Sequence, residues 1–262
     1  PLIGMSVAEL LSLDREAWGF SLDLIVIFVV TCIFATSVWI GLEKGIKRLS
    51  DLNVTMAILL LAFILIVGPT LFMVEMGVES LGHMVQNFVR MSTWTDPLGT
   101  SDFVESWTVF YWAWWLALGP YMGIFITKIS KGRTLKQLIL GCVCFGTLGC
   151  FLFFSILGNY AAYLELNDLY PVLDTLESQG PATLIVAVLG TLPMSSLILF
   201  VFTLVCVIFA ATSYDSASYT LAASATQSLD SDEHPARWHR VFWAFLLGVL
   251  PITLVYLGGL DP

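Results

Sequence analysis

Between Trp107 and Trp115 the chain reads WTVFYWAWW, with four tryptophans, a tyrosine and a phenylalanine in nine positions. Ring faces at this density can surround an organic cation, each attracting it by about 0.5 to 2 kcal/mol through the ring quadrupole. A quaternary ammonium has no N–H to satisfy, so an aromatic cage takes it out of water without an unmet hydrogen bond. A sugar or an anion would fare badly there. The same composition also describes a lipid-interface belt, where Trp and Tyr are enriched. Trp107, at the end of its apolar run, fits the belt; Phe110, Tyr111, Trp112, Trp114 and Trp115 lie deeper and form the candidate cage. Trp114 and Trp115 are adjacent and point about 100° apart, so at most one faces a given cavity squarely. Phe110 or Tyr111 can share Trp115's side.

Gly119 and Pro120 follow in the same run. Proline removes a backbone hydrogen bond and crowds the preceding turn, so the helix is expected to kink or unwind there. A broken helix beside aromatic walls is one way membrane carriers build substrate sites, and an ordinary proline kink is the plainer alternative. A second polar island, ATSYDSAS, runs from Ala211 to Ser218, and six of its eight residues carry side-chain oxygen. Thr212 and Ser213 are hard donors of the kind an alkali cation needs, open to completion by carbonyls from another helix. Hydroxyls that tie helices together are the competing account, and Asp215 reads as a structural acid capping or pairing near the inner interface.

Lipid must solvate the elements that position these residues, because 58% of the chain is apolar and only 12% charged. Six apolar runs are long enough to cross about 30 Å of hydrocarbon: Leu22 to Ile40, Val54 to Phe72, Thr108 to Ile126, Leu135 to Leu157, Met194 to Ala211 and Val241 to Leu257. The fold class expected is therefore all-α, a polytopic membrane protein with six transmembrane helices. Nine of the eleven Lys and Arg residues fall near 41–53, 127–136 and 225–240, while the connections carrying Glu75, Glu79, Asp96, Asp102 and Glu105, and then Glu165, Asp168, Asp174 and Glu177, are acidic. By the positive-inside rule the basic loops are cytoplasmic and the acidic ones outside. Met76 to Met91 has the spacing of an amphipathic helix on the outer surface, and Pro181 is suited to start a short helix within Pro171 to Leu192.

The net charge of −9 comes largely from the outer loops and gives no reason to expect nucleic acid. All five cysteines lie in apolar runs, and Cys142 and Cys144 lack the company of a metal site, so no metal or cofactor is expected beyond a coupling ion. His83, His234 and His239 show no catalytic spacing, which argues against an enzyme. A channel would need a repeated filter or a ring of like charges, and neither is visible. No secretory leader is legible, and with no Met at its start and Pro1 and Pro262 at its ends the chain reads as a piece of a longer protein and as a single membrane domain.

Taken in order, GLEKGIKRLSDLN (Gly41 to Asn53), VGPT (Val67 to Thr70), SWTVFYWAWW (Ser106 to Trp115), ISKGRT (Ile129 to Thr134) and TSYDSAS (Thr212 to Ser218) resemble the betaine/choline/carnitine transporter family across essentially the whole chain. The resemblance implies a twelve-helix carrier with the inverted-repeat fold shared with amino-acid/sodium symporters, of which the six spans are helices six to eleven. Residues 1–72 would end the first repeat, 73–106 form the outer connection, and 107–262 supply most of the second repeat. It further implies an onium substrate such as glycine betaine, choline or carnitine, Trp115 as the box tryptophan, and Phe110, Trp112 and Trp114 as lining or gating positions. Thr212, Ser213 and the Phe209 carbonyl would form one half of a sodium site. Sodium-coupled symport, with sodium as the coupling ion, is then expected over proton-coupled choline uptake, sodium-independent exchange or an inactive fragment, and a homotrimer is the assembly implied. One departure stands out: several family members carry an aromatic residue where this chain has Leu118, so that position supplies no ring to a second aromatic site along the pathway.

Overall fold

The computed structural model describes residues 2–40, 43–99, 102–227 and 233–257, and among them every regular element is helical. A helix satisfies each backbone N–H and C=O within its own segment, which is the condition hydrocarbon imposes. In chain order the helices are α1 (Leu2–Leu11), α2 (Arg15–Ile40), α3 (Glu43–Val67), α4 (Thr70–Gln86), α5 (Phe88–Thr93), α6 (Phe110–Ile129), α7 (Leu135–Phe153), α8 (Asn159–Leu166), α9 (Val172–Gly190), α10 (Ser195–Ser224) and α11 (Arg237–Tyr256). Wider π-helical turns at Val104–Val109 and Phe154–Gly158 lead into α6 and join α7 to α8.

Five stretches among the described residues are long and apolar enough to cross a membrane: Ala17–Trp39, Arg48–Val67, Val104–Thr127, Leu135–Leu166 and Ser195–Ser224. The sixth expected span, Val241 to Leu257, falls in α11 (Arg237–Tyr256), which is not one of these five stretches among the described residues. Other boundaries move as well. The basic stretch expected as a loop from Gly41 to Asn53 is already helical from Glu43, and α3 stops at Val67 because Gly68 and Pro69 interrupt it before Phe72. Gly41, Leu42 and residues 228–232 of the basic loops lie outside the described residues. The fourth span continues through its π turn to Leu166, and the fifth runs on to Ser224, so ATSYDSAS sits inside a helix rather than at its end.

Local sequence explains the connections. In the α6–α7 turn Gly132 takes φ +84°, a conformation that favours glycine, and Thr134 then opens α7 with a capping box. Its hydroxyl accepts from the Gln137 backbone N–H at 3.3 Å, while the Gln137 side chain accepts from the Thr134 N–H at 3.1 Å. At the other end of that long span, Glu165 Oε2 accepts from the Val172 and Leu173 N–H groups at 2.5 and 3.2 Å, placing negative charge at the positive end of α9. Pro181 does start a second helical piece, after Gly180 breaks α9 with φ 80° and ψ 172°. The expected amphipathic stretch from Met76 to Met91 is helical across α4 and α5, anchored by buried Met73 and Gly77 and with Val78, Val85, Phe88 and Val89 exposed.

Helix α10 is the hub, packing against α1, α2, α3, α6, α9 and α11. One apolar core joins α3, α8, α9 and the first half of α10 through Leu60, Ile64, Tyr160, Leu189, Leu199 and Phe202. A smaller one, around Val30, Phe34, Ala35, Ala211 and Ala244, joins α2, α10 and α11. Close approach there depends on Gly248, where a Cβ would meet the Thr31 hydroxyl at 2.6 Å.

Candidate functional site

The aromatic residues of α6 divide into two sets. Tyr111 stacks on Trp107 with centroids 6.0 Å apart and an interplanar angle of 16°, and on Trp114 at 5.9 Å and 28°. Phe110 leans on Trp114 at 5.7 Å, and the track continues outward from Trp107 to Phe103 at 6.4 Å and from Phe103 to Trp94 at 6.3 Å. Trp107, expected in the belt, is also part of this stack, and Tyr111 joins Trp114's side instead of sharing Trp115's. The spacing of 107, 111 and 114, four and then three residues, was the available signal.

Trp112 and Trp115 stand apart, three residues from each other on one helix face that continues to Gly119. They are 67% and 62% exposed and have no ring partner among the described residues. Nothing within 4 Å would meet a Cβ built on Gly119, so this face is open. Of the expected kink or unwinding at Gly119 and Pro120, the unwinding does not occur: α6 is continuous to Ile129 with Pro120 inside it. Pro120 removes one hydrogen bond and crowds the turn before it, and the flanking turns of this long apolar helix hold the conformation.

The polar island of α10 is arranged around its own backbone. Thr212 Oγ1 donates to the carbonyls of Ile208 and Phe209, both at 3.0 Å. With its proton given to the helix backbone, the hydroxyl still has lone-pair capacity that a cation could use. Ser213 is exposed, and its hydroxyl has no hydrogen-bond partner among the described residues. The Phe209 carbonyl carries both its helical bond and the Thr212 hydroxyl, so it must release the latter to serve a cation. Asp215 neither caps a helix nor lies at its end. It is buried in the middle of the polar run, where Ser37 Oγ on α2 donates to its Oδ2 at 3.4 Å and Arg240 on α11 supplies positive charge. Ser37 carried no signal in the sequence, because its role exists only once α2 and α10 meet.

Tyr121 likewise carries no signal in the sequence. Its hydroxyl donates to the Ala217 carbonyl at 2.6 Å and joins α6 to α10, so the open aromatic face and the hydroxyl pair belong to two helices in direct contact.

The family model described as betaine/carnitine/choline family transporter matches residues 2–262. The chain belongs to this transporter family. An uncharacterized transporter, YeaV, of Escherichia coli (strain K12) is 37% identical over 241 residues, 92% of this chain and 50% of that protein. A carnitine transporter of Acinetobacter baumannii is 35% identical over 90% of this chain and 43% of its own length. The glycine betaine transporter OpuD of Bacillus subtilis (strain 168) is 34% identical over 92% of this chain and 46% of its own. The chain spans about half the length of the curated relatives it matches. Members of the family are transporters, not enzymes, and the apolar helices make this one a multi-pass membrane protein.

Proposed function

We propose that the whole carrier moves a quaternary ammonium or related onium compound, of the glycine betaine, carnitine or choline type, across the cell membrane by symport with sodium. The observation that supports this reading best is the pair of exposed, ring-unpartnered tryptophans Trp112 and Trp115 on a helix in contact with the one that carries Thr212 and Ser213. In this reading the substrate's ammonium sits against Trp115 with Trp112 on the same face, and the stacked set of Tyr111, Trp114 and Phe110 stiffens the neighbouring side of the helix. The remaining faces of the cage come from helices outside this chain. Thr212 and Ser213 offer two of the oxygens that replace sodium's water, and carbonyls elsewhere complete the shell. Relatives named for carnitine and for glycine betaine bracket the substrate class.

Proton-coupled uptake is the second reading, and buried Asp215 is what favours it, since a carboxylate in a spanning helix is a natural proton carrier. Uptake of radiolabelled glycine betaine, carnitine and choline by the whole carrier in liposomes separates the two. Replacing sodium by an inert cation at constant membrane potential should lower uptake by about tenfold or more, equivalent to about 1.4 kcal/mol of lost coupling per decade. A neutral analogue with a tert-butyl group in place of trimethylammonium should not compete. Undiminished uptake driven by a proton gradient without sodium would overturn the coupling ion, and equal competition by the neutral analogue would overturn the cation cage.

The same reading sets the basic loops in the cytoplasm. Lys131 and Asp168 flank the two ends of the 32-residue helix Leu135–Leu166, which at about 1.5 Å per residue is longer than the hydrocarbon is thick. Single cysteines at these positions, in a background without the native thiols, should react with an impermeant reagent from opposite sides: Asp168→Cys in sealed cells, Lys131→Cys only after permeabilisation. Reaction of both in sealed cells would reject the topology.

A further inference from the structure

The bond between Tyr121 and Ala217 is a polar strap between two spanning helices, 96 residues apart in sequence. Both residues are half-buried, and at 2.6 Å the bond is short. The Ala217 carbonyl accepts the N–H four residues on within continuous α10, so the phenol is a second donor to a group already satisfied. Folding alone therefore does not require the strap. The Thr220 side chain on α10 also lies within reach of this hydroxyl, but its own proton goes to the Ser216 carbonyl, so an apolar ring in place of the phenol would leave no donor unmet.

Its position suggests what it does. Ala217 is one turn after Ser213 on the same stripe of α10, and Tyr121 is six residues after Trp115, about 9 Å along α6 and turned well away from the Trp112–Trp115 face. Thus α6 presents one face to the aromatic site and fastens a different one to the stripe that carries Ser213. That segment of α10 is rich in hydroxyls bonded back to the backbone: Thr212 to Ile208 and Phe209, Ser216 to Thr212, Thr220 to Ser216 and Ser224 to Thr220. Bonds of this kind bend and soften a helix, so ligand binding there can adjust its course. A change of course would move the Ala217 carbonyl, and the strap would carry it to α6.

We propose that the Tyr121 hydroxyl is a positioning contact that couples the two ligands: occupancy of the Thr212–Ser213 pair sets the orientation of the Trp115 face through the bond to Ala217. The inference rests on the sodium and onium assignments above. Coupling between two sites in one protein typically amounts to 5- to 150-fold in affinity and is equal in both directions.

Tyr121→Phe removes the hydroxyl and keeps the ring. Substrate KM is measured over a range of sodium concentrations, and sodium half-saturation over a range of substrate concentrations, with purified and inserted protein quantified for each variant. In the unmodified carrier, sodium should lower KM by a definite factor. In Tyr121→Phe that factor should shrink about fivefold or more, equally in the reciprocal measurement, while Vmax at saturation of both ligands stays near its original value. A variant that keeps the full factor overturns the proposal, whether or not its Vmax or yield has fallen, since a purely structural bond would alter amount or rate and leave the coupling untouched. If the unmodified carrier shows no sodium dependence, the coupling-ion assignment itself fails, a result read before any variant is made.

Discussion

Trp115→Leu in the whole carrier is expected to reduce uptake of the onium substrate to near background at concentrations around the original KM, with the protein still folded and inserted. The side chain is 62% exposed and stacks on no other ring among the described residues, so shortening it opens no cavity in this part of the fold. What disappears is a π face, and in a desolvated cage one such face stabilises a cation by about 2 kcal/mol. That is about 30-fold in affinity at 1.4 kcal/mol per decade. Trp115→Phe retains a smaller quadrupole and should keep part of the activity. Trp114 is the informative contrast, because it stacks on Tyr111 and contacts Phe110; its loss should disturb the aromatic wall and the yield of folded protein together. Saturable uptake with unchanged KM in Trp115→Leu would return the cluster to the lipid interface.

The spans were legible because hydrocarbon imposes one requirement on every residue of a helix, and long apolar runs meet it without reference to neighbours. Their ends were less so. Hydropathy falls at Thr212 and marks the expected end of the fifth span just before it, but α10 continues because the Thr212, Ser216, Thr220 and Ser224 hydroxyls bond to their own helix. Polarity there is absorbed locally and does not end the helix. At Gly68 and Pro69 the opposite holds: the run stays apolar and the backbone breaks. Pro120 looked like a comparable break, yet its helix is continuous. Within the candidate site the residue types are readable in the sequence, and the partition of the rings is only partly so: depth separates Trp107 from the others, whereas its spacing to Tyr111 and Trp114 places all three on one side. Contacts such as Ser37 with Asp215 and Tyr121 with Ala217 depend on which helices meet, and no single-segment pattern contains that information.

The double variant Thr212→Val with Ser213→Ala carries the largest expected effect on coupling. Valine matches threonine in shape, and the carbonyls of Ile208 and Phe209 keep their helical bonds when the hydroxyl is gone, so α10 should remain intact. Ser213 is exposed and makes no side-chain hydrogen bond among the described residues, so its truncation removes none. A methyl group cannot replace an oxygen in the shell of a small cation. If each lost contact to the charge costs about 1.5 kcal/mol, the sodium concentration for half-maximal uptake should rise by about two decades. Linkage then requires substrate KM at fixed, subsaturating sodium to rise as well. Thr203→Val is the matched control: its hydroxyl bonds back to Leu199 at 2.6 Å in the same helix, away from the polar run, and sodium dependence should not change. Equal sodium curves for the double variant and this control would remove the hydroxyl pair from the ion site. With sodium dependence still present in the unmodified carrier, the ligands would then have to lie on helices other than α10.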